Sequence, residues 1–324
     1  MKRRTLAGIL ALGMLWAAQP VSMAAAQDFP SKPITLIVPF GAGSGGDTTA
    51  RILAERMAVK LGQPIVVDNK PGASGAIGAQ IVQRADPDGY TILFVSSSTH
   101  GTNPSLVKNL PYDPVKDFAA IGGAVRYVYL LTVDPKLGLK TTRDVVDHAK
   151  ANPGMLSYAS GSPTSRLMAE VFKNATGTDI TYVAYKTTPQ ALTDVVGGRV
   201  SLTFVDLTAS TGFLKAGSLA ALGVTSAERS SLLPDLPTIS EQIGNDFDFQ
   251  IWAGFVAPAG TPQPVIGKLN EALNASLNDA DIKQRLSDLG SDIIPGSADE
   301  FGAFVKSEVE RLAGFVKDAG LTPQ

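Results

Sequence analysis

Cysteine is absent from this chain of 324 residues, and histidine occurs only as His100 and His148. Without cysteine there is no disulfide framework and no thiolate nucleophile, and the Cys/His clusters that hold structural zinc cannot be assembled. The signatures of hydrolytic chemistry are missing too, since neither a G-x-S-x-G elbow nor an H-E-x-x-H helix is present. Serines and threonines near one histidine make no triad without a placed acid. A strong charge of either sign is also lacking, with 28 Lys and Arg against 30 Asp and Glu. That balance leaves no basic footprint for nucleic acid or an anionic membrane surface. Aromatic residues make up only 7% of the chain, yet 44% is hydrophobic. Aliphatic burial can therefore supply the stability that covalent staples do not.

Long apolar runs are scarce as well, apart from Leu6 to Ala18. Lys2-Arg3-Arg4 precede that run, and Ala24-Ala-Ala26 follow it before Gln27. A positive n-region, a short apolar h-region and an A-x-A site read as a secretory signal, too short for a membrane span. Arg3-Arg4-Thr-Leu also fits a twin-arginine signal, so both export routes stay open. The expected destination is the periplasm. Removing residues 1–26 takes three of the 28 cations and no acid, which leaves 25 against 30 and a net charge of −5. About 300 remaining residues exceed one ordinary core and predict two domains.

What the chain does have is glycine in a telling place. Ile34-Thr-Leu-Ile-Val38 has the length and composition of a strand, and Pro39 stops it. Phe40-Gly-Ala-Gly-Ser-Gly-Gly46 follows as a loop, and Asp47 opens a helical pattern. Leu53, Met57 and Leu61 recur at four-residue spacing, and Gly62 is placed to end the helix. A glycine loop leading into a helix exposes unpaired N–H groups at the positive end of the helix dipole, which attracts anions. The same run is a literal G-x-G-x-x-G, with Asp68 ending the next strand where a dinucleotide fold holds its ribose acid. Export argues against that reading, because nicotinamide cofactors are not normally supplied outside the cytoplasm.

Strand-like runs recur at 65–67, 91–95, 128–133, 156–159, 181–184, 201–205, 219–224 and 252–256. Helical patterns lie between many of them, at 75–83, 142–149, 165–175 and 189–196. This alternation predicts α/β layers around parallel sheet. In the C-terminal third, Thr261 and Pro262 are read as N-cap and first residue of one helix. Ser297-Ala-Asp-Glu300 is a capping box for another, with Phe301, Phe304, Val305, Leu312 and Val316 on one face. The expected division is 27–131 plus 249–324 as domain 1 and 132–248 as domain 2, with extended segments at the two crossings as a hinge.

A second strand–loop–helix junction lies mid-chain. Leu156-Ser-Tyr-Ala-Ser160 reads as a strand, Gly161-Ser162 begins the loop, and Leu167, Met168, Val171 and Phe172 trace a helical face. Ser162 suits an N-cap and Pro163 the first helical position, leaving the N–H groups of Thr164, Ser165 and Arg166 pointing outward. Alone this is a well-capped helix. Facing the first junction across a cleft, it would clamp the two ends of a small dianion.

Six segments in order carry a resemblance: 34–51, Asn69-Lys-Pro-Gly-Ala-Ser-Gly-Ala-Ile-Gly78, Asp86-Pro-Asp-Gly-Tyr-Thr-Ile-Leu93, Leu110-Pro-Tyr-Asp-Pro114, Ser157-Tyr-Ala-Ser-Gly-Ser162 and Ala257-Pro-Ala-Gly-Thr-Pro262. Together they resemble the Bug family, the TctC-like extracytoplasmic solute receptors of tripartite tricarboxylate transporters. The resemblance spans nearly the whole mature chain. It implies an α/β, two-domain periplasmic binding protein of type II, a Venus flytrap with a cleft and a two-strand hinge. It also implies a small organic carboxylate (a di- or tricarboxylate, or an aromatic carboxylate) held in the cleft largely by backbone N–H groups and ordered waters. The partners it implies are membrane transporter subunits, with the receptor itself a monomer needing no cofactor, metal or nucleic acid. Residue by residue, the first ligand loop carries over onto Phe40, Gly41, Ala42, Ser44, Gly45, Gly46 and Asp47. The second maps to Ser160, Gly161, Ser162, Thr164 and Ser165. Two departures stand out: Arg166 replaces a histidine common among relatives, and Ala184-Tyr-Lys-Thr187 stands where Pro-Tyr-Lys-Gly is usual.

Three further candidates each have two readings. Arg166 either gives a carboxylate a bidentate contact or points to solvent. His100, following Ser96-Ser-Ser-Thr99 at a strand end, either lines the cleft or makes a structural hydrogen bond within its loop. Asp206, at the end of Ser201-Leu-Thr-Phe-Val205, either meets a ligand amine or hydroxyl or caps the segment beginning at Leu207. The functional expectation is a non-enzymatic solute-binding protein serving a transporter. A sensory receptor signalling to a membrane kinase is the alternative, and an exported hydrolase is a distant third.

Overall fold

The computed structural model describes residues 29–230, 232–245 and 247–323, so the expected signal segment lies outside the described residues. The first lobe begins with β1 (Ile34–Val38), α1 (Gly45–Leu61), β2 (Ile65–Asn69), α2 (Ala76–Gln83) and β3 (Thr91–Ser96). A π-helical turn at Ser97–Thr102 leads into α3 (Asn103–Leu106) and then β4 (Phe118–Tyr127). The second lobe holds β5 (Tyr129–Val133), α4 (Thr142–Ala151), β6 (Ser157–Ser160), α5 (Pro163–Thr176) and β7 (Thr181–Ala184). It continues through α6 (Thr188–Val196), β8 (Leu202–Asp206), α7 (Leu207–Lys215), β9 (Ala220–Val224) and α8 (Ile239–Ile243). The chain then returns to the first lobe with β10 (Ile251–Pro258), α9 (Gln263–Leu277), α10 (Ala280–Asp288), β11 (Ser291–Ile293) and α11 (Ala298–Asp318).

Each lobe is built on one sheet, ordered β11-β4-β10-β3-β1-β2 and β7-β6-β8-β5-β9. Strand β1 pairs in parallel with β2 and β3, as β6 does with β7 and β8. Lying between neighbours and beneath helices, β1 is apolar along most of its length rather than alternating. Parallel pairing gives way to antiparallel at the crossings. Strand β5 runs antiparallel to β8 and β9, and β10 runs antiparallel to β3 and β4. These strands carry the chain from one sheet to the other, so they enter in the opposite sense to the βαβ units. Residues 129–131, grouped by sequence with domain 1, pair instead in the second sheet.

The two crossings are stitched together. Thr225 donates its N–H to Tyr129 O at 3.0 Å, Phe249 donates to Thr225 O at 2.9 Å, and Thr225 Oγ1 donates to Phe249 O at 3.0 Å. An aromatic run of Phe172, Phe204, Phe247, Phe249 and Phe315 continues the core from the second lobe to α11. The capping box is present, with Ser297 Oγ accepting from Glu300 N and Glu300 Oε2 accepting from Ser297 N. On the face it orients, Phe301, Val305, Leu312 and Val316 are buried. At α9, Pro262 rather than Thr261 holds the cap position, and the Thr261 hydroxyl donates to Pro258 O instead.

Parallel strands align their C-terminal ends, so the loops after β1, β2, β3, β6, β7 and β8 are the ones the topology assigns to a binding crevice.

Candidate functional site

Ser44 caps α1 by accepting from Asp47 N at 3.2 Å, so the helix opens at Gly45, two residues before the expected Asp47. The N–H groups of Gly45 and Gly46 belong to the first turn and have no acceptor within the helix. Phe40 lies over Gly46 so closely that a Cβ there would come within 2.8 Å of the ring. Asp47 turns away from the cleft. Its carboxylate accepts from Gly43 N at 2.9 Å, Arg51 Nε at 3.0 Å and Asn69 Nδ2 at 2.8 Å. Burial raises the Asp47 pKa, but those hydrogen bonds and the Arg51 charge outweigh it and hold the group below its ordinary value. Asp47 therefore braces the loop, and Ala42 sits on its exposed outer side. Asp47→Ala is expected to cost about 2 kcal/mol in a urea titration, because it strips several hydrogen bonds from a buried anion. A change below about 0.5 kcal/mol would mean that the loop is ordered by something else.

At the second junction, Ser162 caps α5 by accepting from Ser165 N at 3.2 Å, with Pro163 at the first helical position. Arg166 N is taken by Ser162 O at 3.1 Å, so of the three N–H groups expected to point outward only that of Thr164 lacks an acceptor in the cap. Ser160 Oγ donates to Ser162 O at 2.7 Å and tightens the turn. The Ser165 hydroxyl is turned inward and donates to Phe204 O at 2.7 Å. Thr164 is fully buried and reaches the other lobe, with Ser98 Oγ at 2.8 Å and Thr102 Oγ1 at 3.1 Å. The Arg166 guanidinium lies over the Tyr182 ring at 4.8 Å, and Tyr182 stacks on Tyr158 at 5.1 Å. That stack fixes the cation in the cleft wall.

The lobes touch across the cleft. A Cβ on Gly45 would lie 1.9 Å from Asp206 Oδ1, and one on Gly41 would lie 2.7 Å from the Thr187 methyl. Between the lobes an outer cleft of about 440 Å³ is lined by both loops' neighbours, including Ser74, Ser160, Ser162, Arg166, Tyr182 and Lys186. It carries two cations and no acid. A narrow neck of about 20 Å³ between Gly41, Ser44, Gly161 and Thr187 leads inward from it. The inner end is a cavity of about 40 Å³ walled by Phe40, Ser44, Gly45, Gly46, Ser98, Tyr127, Tyr129, Ser162, Thr188 and Asp206.

Several of these lining residues were not picked out by sequence reading. Gly72 to Gly75 is a run of positive φ (121°, 45°, 58° and 84°) in which Ala73 and Ser74 adopt the left-handed conformation without being glycine. Local strain of this kind is tolerated where surrounding structure fixes it, often at ligand sites. Lys186, Thr187 and Thr188 enter from the segment after β7. Gly161 has room for no side chain because the Thr187–Thr188 backbone lies 2.4 Å from where its Cβ would be. The signals were the Asn69–Gly78 motif and the altered Ala184–Thr187 motif, neither of which shows by itself which way it faces.

Asp206 is 5% exposed and caps α7 through Ala209 N at 2.8 Å, while its carboxyl also borders the inner cavity. Burial pushes its pKa up to about 6 despite the cap. His100 is elsewhere. It is fully buried in the π-helical turn, with Nδ1 3.2 Å from Thr99 Oγ1 and the ring between Tyr112 and Phe118. Burial lowers its pKa to about 3, so it stays neutral, and it touches none of the three cavities. Among the described residues no group of His, Cys, Asp and Glu is placed to hold a metal ion.

Comparison with known proteins adds the family context. The family model for the tripartite tricarboxylate transporter family receptor matches residues 49–321. The periplasmic binding protein BugD is 36% identical with a TM-score of 0.87, covering 91% of this chain and 100% of that one. A protein of R. palustris solved with adipate is 34% identical with a TM-score of 0.89, covering 92% and 100%. MatC from Rhodopseudomonas palustris, with bound malate, is 30% identical with a TM-score of 0.84, covering 89% and 100%.

Proposed function

This chain belongs to the tripartite tricarboxylate transporter receptor family, and from that membership we propose that it captures a small organic carboxylate between its lobes in the periplasm and presents it to a tripartite tricarboxylate-type membrane transporter. The observation that carries the proposal is the meeting of two helix N-termini, those of α1 and α5, at one cleft whose outer wall bears Arg166 and Lys186 and no acid. Backbone N–H groups at such termini bind an anion without a large net positive charge. The bound adipate and malate of two relatives belong to the same chemical class.

In this reading Gly45 and Gly46 supply N–H donors, Phe40, Gly41, Ser44, Gly161 and Ser162 shape the neck, and Ser160 lines the outer cleft. Arg166 meets a second carboxylate in the outer cleft. Closure is a hinge motion about the stitched crossings at Tyr129 and Phe249, driven by contacts made only when the lobes meet. Both histidines lie away from the cleft, His148 on the exposed face of α4, which supports binding rather than acid–base catalysis.

The test is a thermal-shift screen of mature protein, refolded to remove carried ligand, against small di-, tri- and aromatic carboxylates. Selective binding to the native state raises the melting temperature. At least one carboxylate is expected to do so, with NAD and matched neutral amides giving none. A response to NAD or to esters with none to any carboxylate would overturn the assignment.

A further inference from the structure

The inner cavity differs in character from the outer cleft. Its volume of about 40 Å³ has room for only about three water-sized groups, since one such group needs about 10–15 Å³. It is set where N–H donors and an acid come together. On one side are the N–H groups of Gly45 and Gly46; on the other is the Asp206 carboxyl, which has no cation among its hydrogen-bonding partners. The Tyr127 hydroxyl is buried at the same wall. It approaches the Thr49 hydroxyl without closing a hydrogen bond, and both hydroxyls lack a partner. Tyr127 is 8% exposed. A buried, unpartnered hydroxyl beside a buried acid is costly unless a ligand completes the set.

Resting on the carboxylate-receptor reading, we propose that this inner cavity is a subsite for a hydrogen-bond donor on the carbon next to the ligand's carboxylate, so that the favoured ligands are 2-hydroxy or 2-amino carboxylic acids. The carboxylate lies on Gly45 and Gly46 at the end of α1. The adjacent hydroxyl or ammonium donates to Asp206, and Tyr127 completes its surroundings. A bare dicarboxylate places no donor there and leaves the Asp206 charge without a partner. The rest of the molecule runs through the neck toward Arg166 and Lys186.

Titration calorimetry on refolded, ligand-free protein separates the possibilities. Malonate, succinate and glutarate are compared with their 2-hydroxy and 2-amino derivatives, and benzoate serves as an aromatic carboxylate. At the chain length that binds best, the 2-substituted acid is expected to bind at least about tenfold tighter than the unsubstituted one. Asp206→Asn should shrink that ratio to within about threefold, because the donor on the 2-carbon loses its anionic acceptor. Tyr127→Phe, which removes only the hydroxyl, should reduce the same ratio in a variant whose fold is checked by circular dichroism. Carboxylates that bind without preferring a 2-donor, or a preference that survives both substitutions, overturn the subsite while leaving the receptor reading intact. Failure of every carboxylate to bind the wild-type protein overturns both.

Discussion

Replacing Gly45 with alanine is expected to lower carboxylate affinity by at least about 100-fold, equivalent to about 2.7 kcal/mol, without unfolding the protein. The methyl group would fall 1.9 Å from Asp206 Oδ1 and 2.6 Å from its Cγ, well inside any real contact. Asp206 cannot swing aside cheaply, because it is buried and its Oδ1 is committed to Ala209 N. Gly45 itself is the first residue of α1 and does not need a positive φ. Alanine therefore suits the first lobe, and reducing unfolded-state freedom adds about 0.4–1 kcal/mol to its stability. The clash arises only when the lobes meet. The variant should thus melt at or slightly above the wild-type temperature while failing to compact on adding ligand in small-angle scattering. Gly267→Ala, at a position with nothing within 4 Å of a new Cβ, is the control and should bind normally. Wild-type affinity in Gly45→Ala would mean that ligand is held without this contact, and the clamp assignment would fall.

The same contact marks the limit of what the sequence discloses. Ser44, Gly45 and the glycines around them are legible because a strand, a proline stop and an N-cap occupy adjacent residues, and local spacing encodes all three. That Gly45 meets Asp206 is not legible, since the residues are far apart in the chain and joined only by closure. Strand β4 escaped detection for a related reason. Its centre is Gly122-Gly123, which offers no β-branched or aromatic signal. A Cβ at Gly122 would come within 3.0 Å of Asn270 and Leu273, and one at Gly123 within 3.0 Å of Ile294. The glycines serve close packing of α9 and the segment after β11, and packing partners cannot be read from period. The opposed direction of β5 and β10 is likewise a property of where the chain crosses. Asp47 and His100 show the converse limit. Both residue types suit a ligand site, but the Asp47 carboxylate is spent on holding Arg51 and Asn69, and the His100 ring is sealed against Tyr112 and Phe118. Residue type and strand-end position nominate a site residue; only the direction of the side chain decides it.

Asp206→Asn is expected to stabilise the closed, unliganded form at pH 8 by up to about 3 kcal/mol, and by less than about 1 kcal/mol near pH 4. In the closed structure burial raises the Asp206 pKa from 3.8 to about 6. When the lobes part or the chain unfolds, water reaches the carboxyl and the value relaxes toward its ordinary one. Well below pH 4, under the ordinary value of 3.8, the group is protonated in every state and closure carries no penalty. As pH rises toward 6 the open form loses its proton first, so closed-state stability falls, and above 6 the full penalty persists. The other titratable groups facing Asp206 are Tyr127 and Tyr129, both pushed upward by burial and neutral throughout this range. Asparagine keeps the Oδ1 that caps α7 and removes the charge. Inter-lobe fluorescence transfer measured from pH 4 to 8 should show the wild type opening as pH rises while the variant stays compact. A difference of the same size at both ends of the range would assign the effect to something other than the carboxyl proton. In Gly45→Ala, where the lobes are kept apart, Asp206 is already solvated, so adding Asp206→Asn should change little at any pH. That non-additivity separates a charge acting through closure from one acting within the second lobe alone.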